Sequence, residues 1–505
     1  MATLRKGSNR SRSRIQEFDP DRYGVLDVET TLLKDGEIPT TKFWGAADCR
    51  GYKRFETTAA LGRWLRQQPP RVWLHHGNFD VLQLLCDGAN ISITKCHNGK
   101  LILSKWGSQS LLNSFALFPF SLARIFDFFG YSKRGLDDLD ARNKDDCELG
   151  RECFLRLAEK FREVSDVNPL TRHTISGAAF HAAEQVAGTM PKDLRYRSAY
   201  RGGRVEVFDL RGGAASKYDI NSTYPFSILD APAVGVLLRV RVTTRDFYCP
   251  FFDAGNVDHL MFPNGTFETW VFEDTFERYI KPVMWNTRVK VLSRKRFSFA
   301  WFDRLKPFIR RVYQRKAESS GVEREACKLL LNSLYGRIGL SGRHEIAVIG
   351  DKVADGDEVF YYALRNGKFL SFRQVERPSR SNFPFAAYVT DNARARLFNS
   401  FARNEALYGD TDSVFVRSQD FHGQIGLDCG EFKYEGRDNF APKSVKDYVF
   451  GEKESLKGGY GSTIWTLKRF ASGQGAAEIE RSRQTELQKR TVLPDGRTVP
   501  LIVYR

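Results

Sequence analysis

The fold is decided by a short stretch of sequence, YGDTDSVFV at residues 408–416. Apolar residues around a tight turn predict a two-stranded hairpin that carries the carboxylates of Asp410 and Asp412 at its tip. Two neighbouring carboxylates repel each other unless a cation lies between them. Because an Asp-rich turn by itself is usually just solvated, this one predicts a divalent metal site only if a carboxylate from elsewhere joins it.

A second segment supplies such a carboxylate. The stretch SKYDINSTYP at residues 216–225 reads as a strand that ends at Asp219, followed by the start of a helix. Free backbone N–H groups at a helix start favour phosphate oxygens, and an Asp just before them can share a metal ion with a triphosphate. For this segment alone, the alternative is a plain helix cap beside a buried Tyr224.

A helix with lysines lies between these two acidic segments. The stretch KLLLNSLYG at residues 328–336 reads as a helix that places Lys328, Asn332 and Tyr335 on one face, and Lys316 lies on or near the same helical arm. Lysines there can hold phosphates while the Tyr packs against a base or sugar. A solvated Lys and a core Tyr are the alternative interpretation.

Composition and charge point to a polyanionic partner. With 505 residues, the chain is long enough for about three domains, and its 39 Phe residues supply ample material for buried cores. The net charge of +17 favours nucleic acid as the partner. Basic residues interleaved with aromatic ones are concentrated between Met284 and Lys316. This pattern predicts a phosphate-contacting surface or, alternatively, a helix with a solvated basic face.

Other classes of protein are disfavoured by the same sequence. The eight cysteines form no CxxC pair and indicate reduced thiols of an intracellular protein, and the eight scattered histidines do not predict a zinc site. No apolar run approaches the length of a membrane span. Residues 1–17 are predicted to form a disordered basic arm, with a transit peptide as the alternative.

A separate group of carboxylates lies near the amino end. Residues 23–30 (YGVLDVET) read as a strand with Asp27 and Glu29 on one face, which are costly to bury unless a metal or a proton compensates. Asp80 follows a second short strand, and Asp146 is expected to open a long helix. This order of acids resembles the DEDD 3′-5′ exonucleases, in which four carboxylates hold two metal ions that activate water on a phosphodiester.

In chain order, three segments resemble the motifs of the family B DNA polymerases. Residues 219–225 resemble motif A, residues 328–336 motif B, and residues 408–413 motif C. The resemblance extends over about residues 23–470. It implies a multidomain fold of the α+β and α/β classes, in which a ribonuclease-H-like 3′-5′ exonuclease domain precedes a right-hand polymerase with palm, fingers and thumb.

Two further segments resemble the protein-primed branch of this family. Residues 200–203 (YRGG) are similar to the YxGG linker between the exonuclease and polymerase domains, and residues 446–448 (KDY) are similar to the KxY motif near the primer terminus. The resemblance implies a terminal protein that supplies the priming hydroxyl. It also implies strand displacement, aided by an insertion that encircles the template.

The resemblance further implies domain boundaries. The expected divisions are a basic arm (1–17), an exonuclease domain (18–199), the linker (200–203), a palm (204–435) with fingers (about 285–340) and insertions (about 230–284 and 340–382), and a small thumb (436–505). The later part of the thumb, around residues 468–490, is basic enough to hold the backbone of a duplex.

The family's functional residues carry over onto matching positions. The acids expected to be catalytic and to bind two Mg²⁺ ions per active site, with Mn²⁺ as a substitute, are Asp219, Asp410 and Asp412 for synthesis and Asp27, Glu29, Asp80 and Asp146 for the exonuclease. Nucleotide contacts are expected from Ser222, Thr223, Tyr224, Lys316, Lys328, Asn332 and Tyr335. DNA contacts are expected from Tyr200, Arg201, Gly202, Gly203, Lys446, Tyr448, Arg124 and Phe79.

The implied partners follow from these roles. They are a DNA template and primer, dNTPs rather than ribonucleotides because Tyr224 would exclude a 2′-hydroxyl, and a terminal protein. A monomer without membrane contact is expected. The expected location is intracellular: the cytoplasm of a bacterial host if the gene is borne by a phage, or an organelle- or virus-associated setting.

The chain departs from the family's pattern at several positions. Thr223 replaces the usual Leu of motif A. His76 stands where the second exonuclease motif has Asn, and Arg142 stands where the third has Tyr, so an altered proofreading site is expected. Arg124 is expected to replace a catalytic Lys of the branch, with a different geometry.

Three alternatives remain open from the sequence. A primer-independent family B enzyme would carry every motif described above. A catalytically dead nucleic-acid-binding scaffold would require lost carboxylates, whereas all seven acids are present. An RNA-synthesising enzyme is disfavoured by Tyr224 and by the exonuclease cluster.

Overall fold

A computed structural model describes most of the chain. The described residues are 19–31, 39–67, 71–133, 138–256, 260–340, 342–354 and 360–456, with strand segments at 490–492, 498–500 and 502–504. The expected basic arm (1–17) and most of the basic part of the expected thumb (468–489) lie outside them. The chain divides into two compact units, the first formed by Met1–Gln185 and Arg311–Ser379 and the second by Val186–Arg310 and Arg380–Arg505.

Strands and helices are numbered in chain order. The strands are β1 (Tyr23–Thr30), β2 (Thr41–Asp48), β3 (Gly51–Phe55), β4 (Arg71–Leu74), β5 (Ile91–His97), β6 (Lys100–Trp106), β7 (Gln109–Asn113), β8 (Val205–Val207), β9 (Gly213–Ile220), β10 (Val234–Thr244), β11 (Asn264–Phe272), β12 (Thr287–Ser298), β13 (Arg343–Gly350), β14 (Phe360–Ala363), β15 (Phe369–Glu376), β16 (Ala406–Asp410), β17 (Ser413–Val416), β18 (Phe432–Ser444), β19 (Asp447–Phe450), β20 (Lys453–Leu456), β21 (Arg490–Val492), β22 (Thr498–Pro500) and β23 (Ile502–Tyr504). The α-helices are α1 (Thr58–Leu65), α2 (Asn78–Cys86), α3 (Ser114–Leu117), α4 (Leu122–Asp127), α5 (Leu139–Ser165), α6 (Ile175–Ala187), α7 (Thr223–Leu229), α8 (Glu273–Thr275), α9 (Ala300–Glu318), α10 (Gly321–Leu334) and α11 (Phe383–Asn404).

The first unit is built on a mixed sheet with the strand order β14-β15-β13-β5-β6-β7-β4-β1-β2-β3. Strand β4 runs parallel to both β1 and β7, whereas β1 and β2 are antiparallel. Apolar residues of β1 and β4, including Leu26, Val72 and Leu74, are buried in a common core. The sheet therefore fixes β1, and with it Asp27 and Glu29, at a defined place.

Helix α5 packs on this sheet and begins earlier than the sequence suggested. Asp146 was expected to open the helix, but the helix begins at Leu139, where the side chain of Asp138 accepts a hydrogen bond from the Ala141 N–H at 2.9 Å. An Asp at this cap position satisfies a free N–H of the first turn. The abundance of acids in residues 137–148 concealed which of them is the cap. Asp146 consequently lies inside the helix, on its buried face.

The hairpin β13–β15 belongs to the same unit. Strand β13 pairs with β5 at Glu345 and Cys96, and both oxygens of the Glu345 carboxylate accept from the Gly99 N–H, at 2.9 and 3.1 Å. Leu370 and Phe372 are buried in the core that also contains residues of β1 and β4. Strands β13, β14 and β15, which lie within the expected insertion at about residues 340–382, thus extend the sheet of the first unit.

The second unit contains a sheet with the strand order β20-β19-β18-β9-β17-β16-β8. Residues of β9, β16 and β17 are buried against α11, where Leu397 and Phe401 are almost inaccessible to solvent. The uninterrupted apolar run Val414–Val416 and the apolar residues before the turn form two short strands that are buried on both faces, as the burial of Tyr408, Val414 and Phe415 demonstrates. The predicted hairpin is confirmed.

A second sheet of this unit has the strand order β12-β10-β11-β23. Residues 287–298, at the start of the expected fingers (about 285–340), form β12, which pairs with β10 along its whole length. The alternation in TRVKVLSRKRFS explains this outcome, because a period of two specifies a strand. Helical structure begins only at Ala300, so the helices expected for the fingers are α9 and α10.

Two further observations concern the chain as a whole. All eight cysteines lie in described segments, and none of them forms a disulfide. Across the described segments, no helix combines the length and the apolar character needed to cross a bilayer.

Candidate functional site

The tip of the β16–β17 hairpin is a strained turn held by its neighbours. Thr411 has a φ of 62°, a left-handed value that is uncommon for a residue with a branched side chain. Its N–H donates to the carbonyl oxygen of Arg204 at 2.7 Å, and the Asp412 N–H donates to the carbonyl oxygen of Asp410 at 2.6 Å. These bonds fix the direction of both carboxylates of the turn.

Asp219 joins the turn through the antiparallel ladder of β9 and β17. It lies opposite Ser413, and the N–H of Ile220 donates to the Asp412 carbonyl oxygen at 2.7 Å. Burial raises the pKa of Asp412 to about 7, with further contributions from the charges of Asp219 and Asp410. Burial also raises the pKa of Asp219 to about 6, and the neighbouring charges of Glu435 and Asp410 act in the same direction. The structure therefore brings the three predicted acids together.

A lysine and two tyrosines support this acidic group. The Nζ atom of Lys446 lies 3.2 Å from Oδ1 of Asp410, and the hydroxyl of Tyr408 donates to Oδ2 of the same carboxylate at 3.3 Å. That hydroxyl also accepts from the Lys446 N–H at 3.0 Å. The ring of Tyr448 lies 5.3 Å from that of Tyr408. Both predicted residues of the KDY segment are thus linked to Asp410.

The glycine-containing linker touches both acidic segments. A Cβ atom on Gly203 would lie 2.9 Å from the side chain of Thr411 and 3.1 Å from the Tyr224 hydroxyl, whereas a Cβ on Gly202 would meet nothing within 4 Å. Nη1 of Arg394 donates to the carbonyl oxygens of Arg201 and Gly202, at 2.8 and 2.9 Å. The linker is therefore held by helix α11, and Gly203 lies against the turn at Thr411.

The residues after Asp219 form a turn into a short helix. Ser222 has a φ of 53° and makes no side-chain cap, so the expected capped start is replaced by a left-handed residue before α7. Burial raises the pKa of Tyr224 to about 12, and the charge of Asp412 contributes. The Tyr224 hydroxyl is therefore protonated at neutral pH and lies within electrostatic range of the acidic group.

The first unit holds the second set of acids. Glu29, Asp80 and Asp146 are 5%, 2% and 6% exposed. Burial raises the pKa of Asp27 well above its usual range, and the charges of Asp80, Asp146 and Glu29 add to this effect. Burial likewise raises the pKa of Asp80 to about 7. The strand β1, helix α2 and helix α5 thus bring together the four acids that the sequence placed in one cluster.

Two cations and an amide neutralise part of this cluster. Nη2 of Arg142 donates to both oxygens of Glu29, at 2.6 and 2.5 Å. Nζ of Lys133 lies 2.8 Å from Oδ2 of Asp146. Asn143 donates from Nδ2 to Oδ2 of Asp27 at 2.9 Å. Within the described residues, Oδ1 of Asp146 is buried and has no hydrogen-bond partner.

Aromatic side chains lie beside the second exonuclease segment. Phe79 is 40% exposed, which suits a residue expected to contact DNA. His76 packs its ring against Phe115 with the centroids 4.2 Å apart. Asn78 instead binds the β5–β6 hairpin, through the carbonyl oxygen of Gly99 at 2.7 Å and the N–H of Leu101 at 2.7 Å. Asn78 therefore has a structural role, because its side chain ties α2 to the β5–β6 hairpin.

The donor sets suit a hard divalent cation, although neither set forms a closed cage. Among the described residues, no group of three or more His, Cys, Asp and Glu side chains is placed to hold a metal ion by itself. Mg²⁺ commonly takes one or two carboxylates and completes its shell with water and substrate phosphates. Buried carboxylates with mutually raised pKa values, and the partnerless oxygen of Asp146, are consistent with such open sites.

Comparison with known proteins finds similarity to DNA polymerases. The family described as DNA polymerase type B, organellar and viral, matches residues 236–375. A probable DNA polymerase of Podospora anserina is 29% identical over 163 residues, which are 29% of this chain and 13% of that relative, so the chain spans only a small part of the relative's length.

Solved structures of Phi29 DNA polymerase match almost the whole chain. Its ternary complex with primer-template DNA and incoming nucleotides gives a TM-score of 0.68 at 16% identity, covering 88% of this chain and 93% of that one. Its orthorhombic crystal form gives a TM-score of 0.66 at 16% identity, covering 95% and 98%. The resemblance to the family B DNA polymerases is confirmed. The predicted fold, an exonuclease domain with a right-hand polymerase, is confirmed as well.

The structure changes which basic residue lies beside the acids of the first unit. Arg124 was expected at the place of the branch's catalytic Lys, but its Nη2 lies 3.2 Å from Oε1 of Glu325. Lys133 is instead the lysine that reaches the four acids of the first unit, through Asp146. Arg124 lies on α4, whereas Lys133 belongs to the loop that follows this helix and leads toward Asp146.

The expected nucleotide-binding residues of motif B lie in the first unit. Lys328 and Asn332 are on α10, and Tyr335 begins the short 3₁₀ turn Tyr335–Arg337 that follows it. Lys316 is on the preceding helix α9, with Nζ 4.6 Å from the centroid of Tyr313. The carboxylates Asp219 and Asp412 belong to the second unit.

The sequence did not reveal every charged neighbour of the polymerase acids. Glu435 lies near Asp219 and pairs with Lys217 at 3.0 Å and with Lys433 at 2.9 Å. Lys433 is opposite Asp219 in the ladder of β18 and β9. The alternation in FKYE indicates a strand, but only its pairing with β9 brings these charges to the acids.

Proposed function

We propose that this protein is a DNA-directed DNA polymerase that adds dNMPs to a primer 3′-hydroxyl and has a separate 3′-5′ exonuclease centre. The observation that carries the proposal is the pairing of β9 with β17, which brings Asp219 to Asp410 and Asp412. Two buried acids with raised pKa values are costly unless cations compensate for them. The likeness to Phi29 DNA polymerase, which has been solved with primer-template DNA and nucleotides, supports the same substrate class.

In this proposal, Asp219 and Asp412 bind two Mg²⁺ ions, or Mn²⁺, with assistance from Asp410. When bound, such ions activate the primer hydroxyl and neutralise the triphosphate and the leaving pyrophosphate. Lys446 holds Asp410 in place from one side, and the Tyr408 hydroxyl does so from the other. The sheet thus orients the acids before the substrate binds, so that little reorganisation is needed during the reaction.

Nucleotide contacts are assigned to motif A and motif B. Ser222, Thr223 and Tyr224 follow Asp219 directly, and the protonated Tyr224 lies beneath the sugar, where its ring excludes a 2′-hydroxyl. The side chains assigned to the phosphates and the base are Lys316, Lys328, Asn332 and Tyr335. The proposed substrates are therefore deoxynucleoside triphosphates.

The second centre is assigned to 3′-5′ hydrolysis of single-stranded ends. Asp27, Glu29, Asp80 and Asp146 are the proposed acids, and Lys133 is the cation beside them. Phe79 presents an exposed ring on which an unpaired base can stack. The linker residues Tyr200, Arg201, Gly202 and Gly203, together with Lys446 and Tyr448, are assigned to the primer-template duplex.

We further propose protein priming and strand displacement. The YRGG linker and the KDY segment resemble those of protein-primed enzymes, and Phi29 DNA polymerase shares the fold. A terminal protein would then supply the first hydroxyl. The proposed setting is inside a cell, where an organelle, a virus or the cytoplasm of a bacterial host would supply the DNA.

The experiment that tests synthesis uses the purified full chain with a labelled primer annealed to a longer template, dNTPs and Mg²⁺. Template-directed extension is expected, together with strong preference for dNTPs over NTPs. An inactive wild-type protein would contradict the proposal and favour a nucleic-acid-binding scaffold.

A second experiment distinguishes the modes of priming. The chain is incubated with labelled dATP, Mg²⁺ and candidate terminal proteins encoded near its gene. Label transferred to a protein hydroxyl supports protein priming. Label on DNA primers alone contradicts it, and synthesis without either primer or protein identifies a primer-independent enzyme.

A further inference from the structure

Arg142 occupies an unusual place in the exonuclease cluster. It lies four residues before Asp146, where the resemblance implies a Tyr, and its Nη2 donates to both oxygens of Glu29, at 2.6 and 2.5 Å. The Glu29 side chain is 6% exposed and the Arg142 side chain 16%, so solvent screens this pair weakly. One nitrogen makes both contacts, so the pair is not the two-nitrogen fork of the strongest Arg–carboxylate pairs, but each bond joins two charged groups and is therefore stronger than a bond between neutral groups.

The pair changes what the cluster offers to a metal ion. Arg142 already neutralises the charge of Glu29, and Lys133 neutralises the charge of Asp146. Asp146 and Arg142 both lie on helix α5. Among the described residues, neither Asp27 nor Asp80 has a cation in direct contact, although the charge of Lys133 acts on Asp27, and burial raises the pKa of both acids. Two of the four formal negative charges are therefore compensated by the chain itself.

We propose that Arg142 is a positioning residue that competes with a divalent metal ion for Glu29 and so weakens metal binding at the exonuclease centre. This inference rests on the proposed exonuclease function. Glu29 exchanges its guanidinium partner for the metal ion only when Arg142 moves away. Removing Arg142 leaves a buried carboxylate without compensation, a costly state that a divalent cation relieves.

The test measures metal binding directly, with a polymerase centre that has been disabled. In an Asp219→Asn, Asp412→Asn background, free Mn²⁺ is titrated by electron paramagnetic resonance, which reports ions that are not bound. Arg142→Tyr, which restores the residue usual in the family, is expected to tighten Mn²⁺ binding about tenfold or more. Adding Asp27→Asn is expected to abolish this binding in both proteins.

Arg162→Tyr is the matched control on the same helix. Arg162 lies in the last turn of α5, is 44% exposed and contacts Glu159 at 3.3 Å, away from the four acids. It is expected to leave Mn²⁺ binding unchanged. Arg142→Met removes the charge and keeps a long side chain, so it replaces Arg142→Tyr if that variant does not fold. The same increase in Mn²⁺ affinity is expected for it.

A second readout is the Mn²⁺ concentration that gives half-maximal hydrolysis of single-stranded DNA. This concentration is measured in proteins that keep Asp219 and Asp412, and it is expected to be lower in both Arg142 variants than in the wild type. Equal Mn²⁺ affinities with and without Arg142, while Asp27→Asn still abolishes binding, would overturn the inference and leave the exonuclease centre standing. Mn²⁺ binding that is indifferent to Asp27 would instead overturn the exonuclease assignment itself.

Discussion

Asp219 lies directly opposite Ser413 across the ladder of β9 and β17, so the acid of one strand sits beside the hairpin that carries Asp410 and Asp412. The N–H of Ile220 closes the arrangement on the carbonyl oxygen of Asp412. Register in a sheet is resistant to small changes, because a slip by one residue would turn every side chain to the other face. The spacing of the acids is thus a property of the sheet rather than of flexible loops.

Replacement of either acid tests this arrangement. Asp412→Asn keeps the size of the side chain and removes its charge, so primer extension is expected to fall by at least about a thousandfold. Hydrolysis of single-stranded 3′ ends is expected to continue, because its acids belong to the other unit. Both activities are measured on the same labelled oligonucleotide, with and without dNTPs.

Asp420→Asn is the control for this variant. Asp420 is exposed, and its backbone N–H bonds to the Ser418 hydroxyl at 3.0 Å. Extension by this protein is expected to match the wild type. Appreciable extension by Asp412→Asn would refute the assignment of the polymerase centre.

The two adjacent glycines of the linker provide a sharper comparison. Gly203→Ala forces a methyl group to within 2.9 Å of Thr411 and 3.1 Å of the Tyr224 hydroxyl, whereas Gly202→Ala meets open space. A shift of the turn by a few tenths of an ångström displaces the acids, and a decrease in extension of about tenfold to a hundredfold is expected for Gly203→Ala alone. Steady-state extension rates of the two variants, which differ by one position, provide the measurement. Equal rates would disprove the linker's role in positioning the turn.

Local patterns in the sequence were sufficient for the elements that carry the acids. The alternation around Asp410 and Asp412 predicted the hairpin β16–β17, and the alternation around Asp27 and Glu29 predicted β1. Both patterns are short, apolar and bounded by turns, so a period of two was readable without knowing the partner strand. The family resemblance then supplied the chain order of the domains.

Long-range pairing could not be read in the same way. Nothing in the sequence near Arg142 indicates that it contacts Glu29, and nothing near Glu345 indicates a strand pairing with Cys96. Such contacts depend on how sheets and helices are assembled, and a residue's own periodicity does not encode its partner. The same limit explains the missed Lys133, which lies in a loop without any periodic signal.

Lys446 is expected to matter through its contact with Asp410. Lys446→Ala removes the cation 3.2 Å from Oδ1 of Asp410 and also places Ala at a φ of 63°. Lys446→Asn removes the same charge and tolerates this backbone conformation better, so it separates the two effects. A decrease in extension of about tenfold or more is expected from both variants, measured as kcat and KM for the primer. Lys443→Ala, on the exposed side of β18, is the matched control and should behave as the wild type.

The raised pKa values predict how the stability of the protein depends on pH. The pKa of Asp412 is about 7 in the folded protein against an ordinary value of 3.8, so the folded state holds its proton more tightly than the unfolded chain. Stability is therefore present at low pH and is lost as the pH rises from about 4 through about 7. Mg²⁺ binds the ionised acids and is expected to raise the melting temperature more at pH 8 than at pH 5, by a few degrees.

Thermal unfolding of Asp412→Asn, with and without Mg²⁺, checks this expectation. The Asn side chain does not titrate, so both the loss of stability at rising pH and the gain from Mg²⁺ should be smaller than in the wild type. The exonuclease acids remain in this variant, and a reduced but measurable pH dependence is therefore expected. A pH profile identical to that of the wild type would contradict the raised pKa of Asp412.

The hairpin β13–β15 is predicted to stabilise the first unit as a structural part of it. Leu370 is fully buried in the core shared with β1 and β4, so Leu370→Ala should lower the free energy of unfolding by about 2–5 kcal/mol. Val348→Ala removes apolar atoms from a side chain of the same hairpin that is 37% exposed, and a change of less than about 1 kcal/mol is expected. Urea unfolding followed by tryptophan fluorescence measures both, because Trp44 and Trp73 are buried in this unit.

If the two substitutions cost the same, the hairpin is an appendage, and its deletion would impair strand displacement without weakening the exonuclease domain. If Leu370→Ala costs clearly more than Val348→Ala, the hairpin is part of the core of the first unit. Deleting the hairpin would then expose that core, so a loss of strand displacement in the deletion variant could not be assigned to lost template contacts alone.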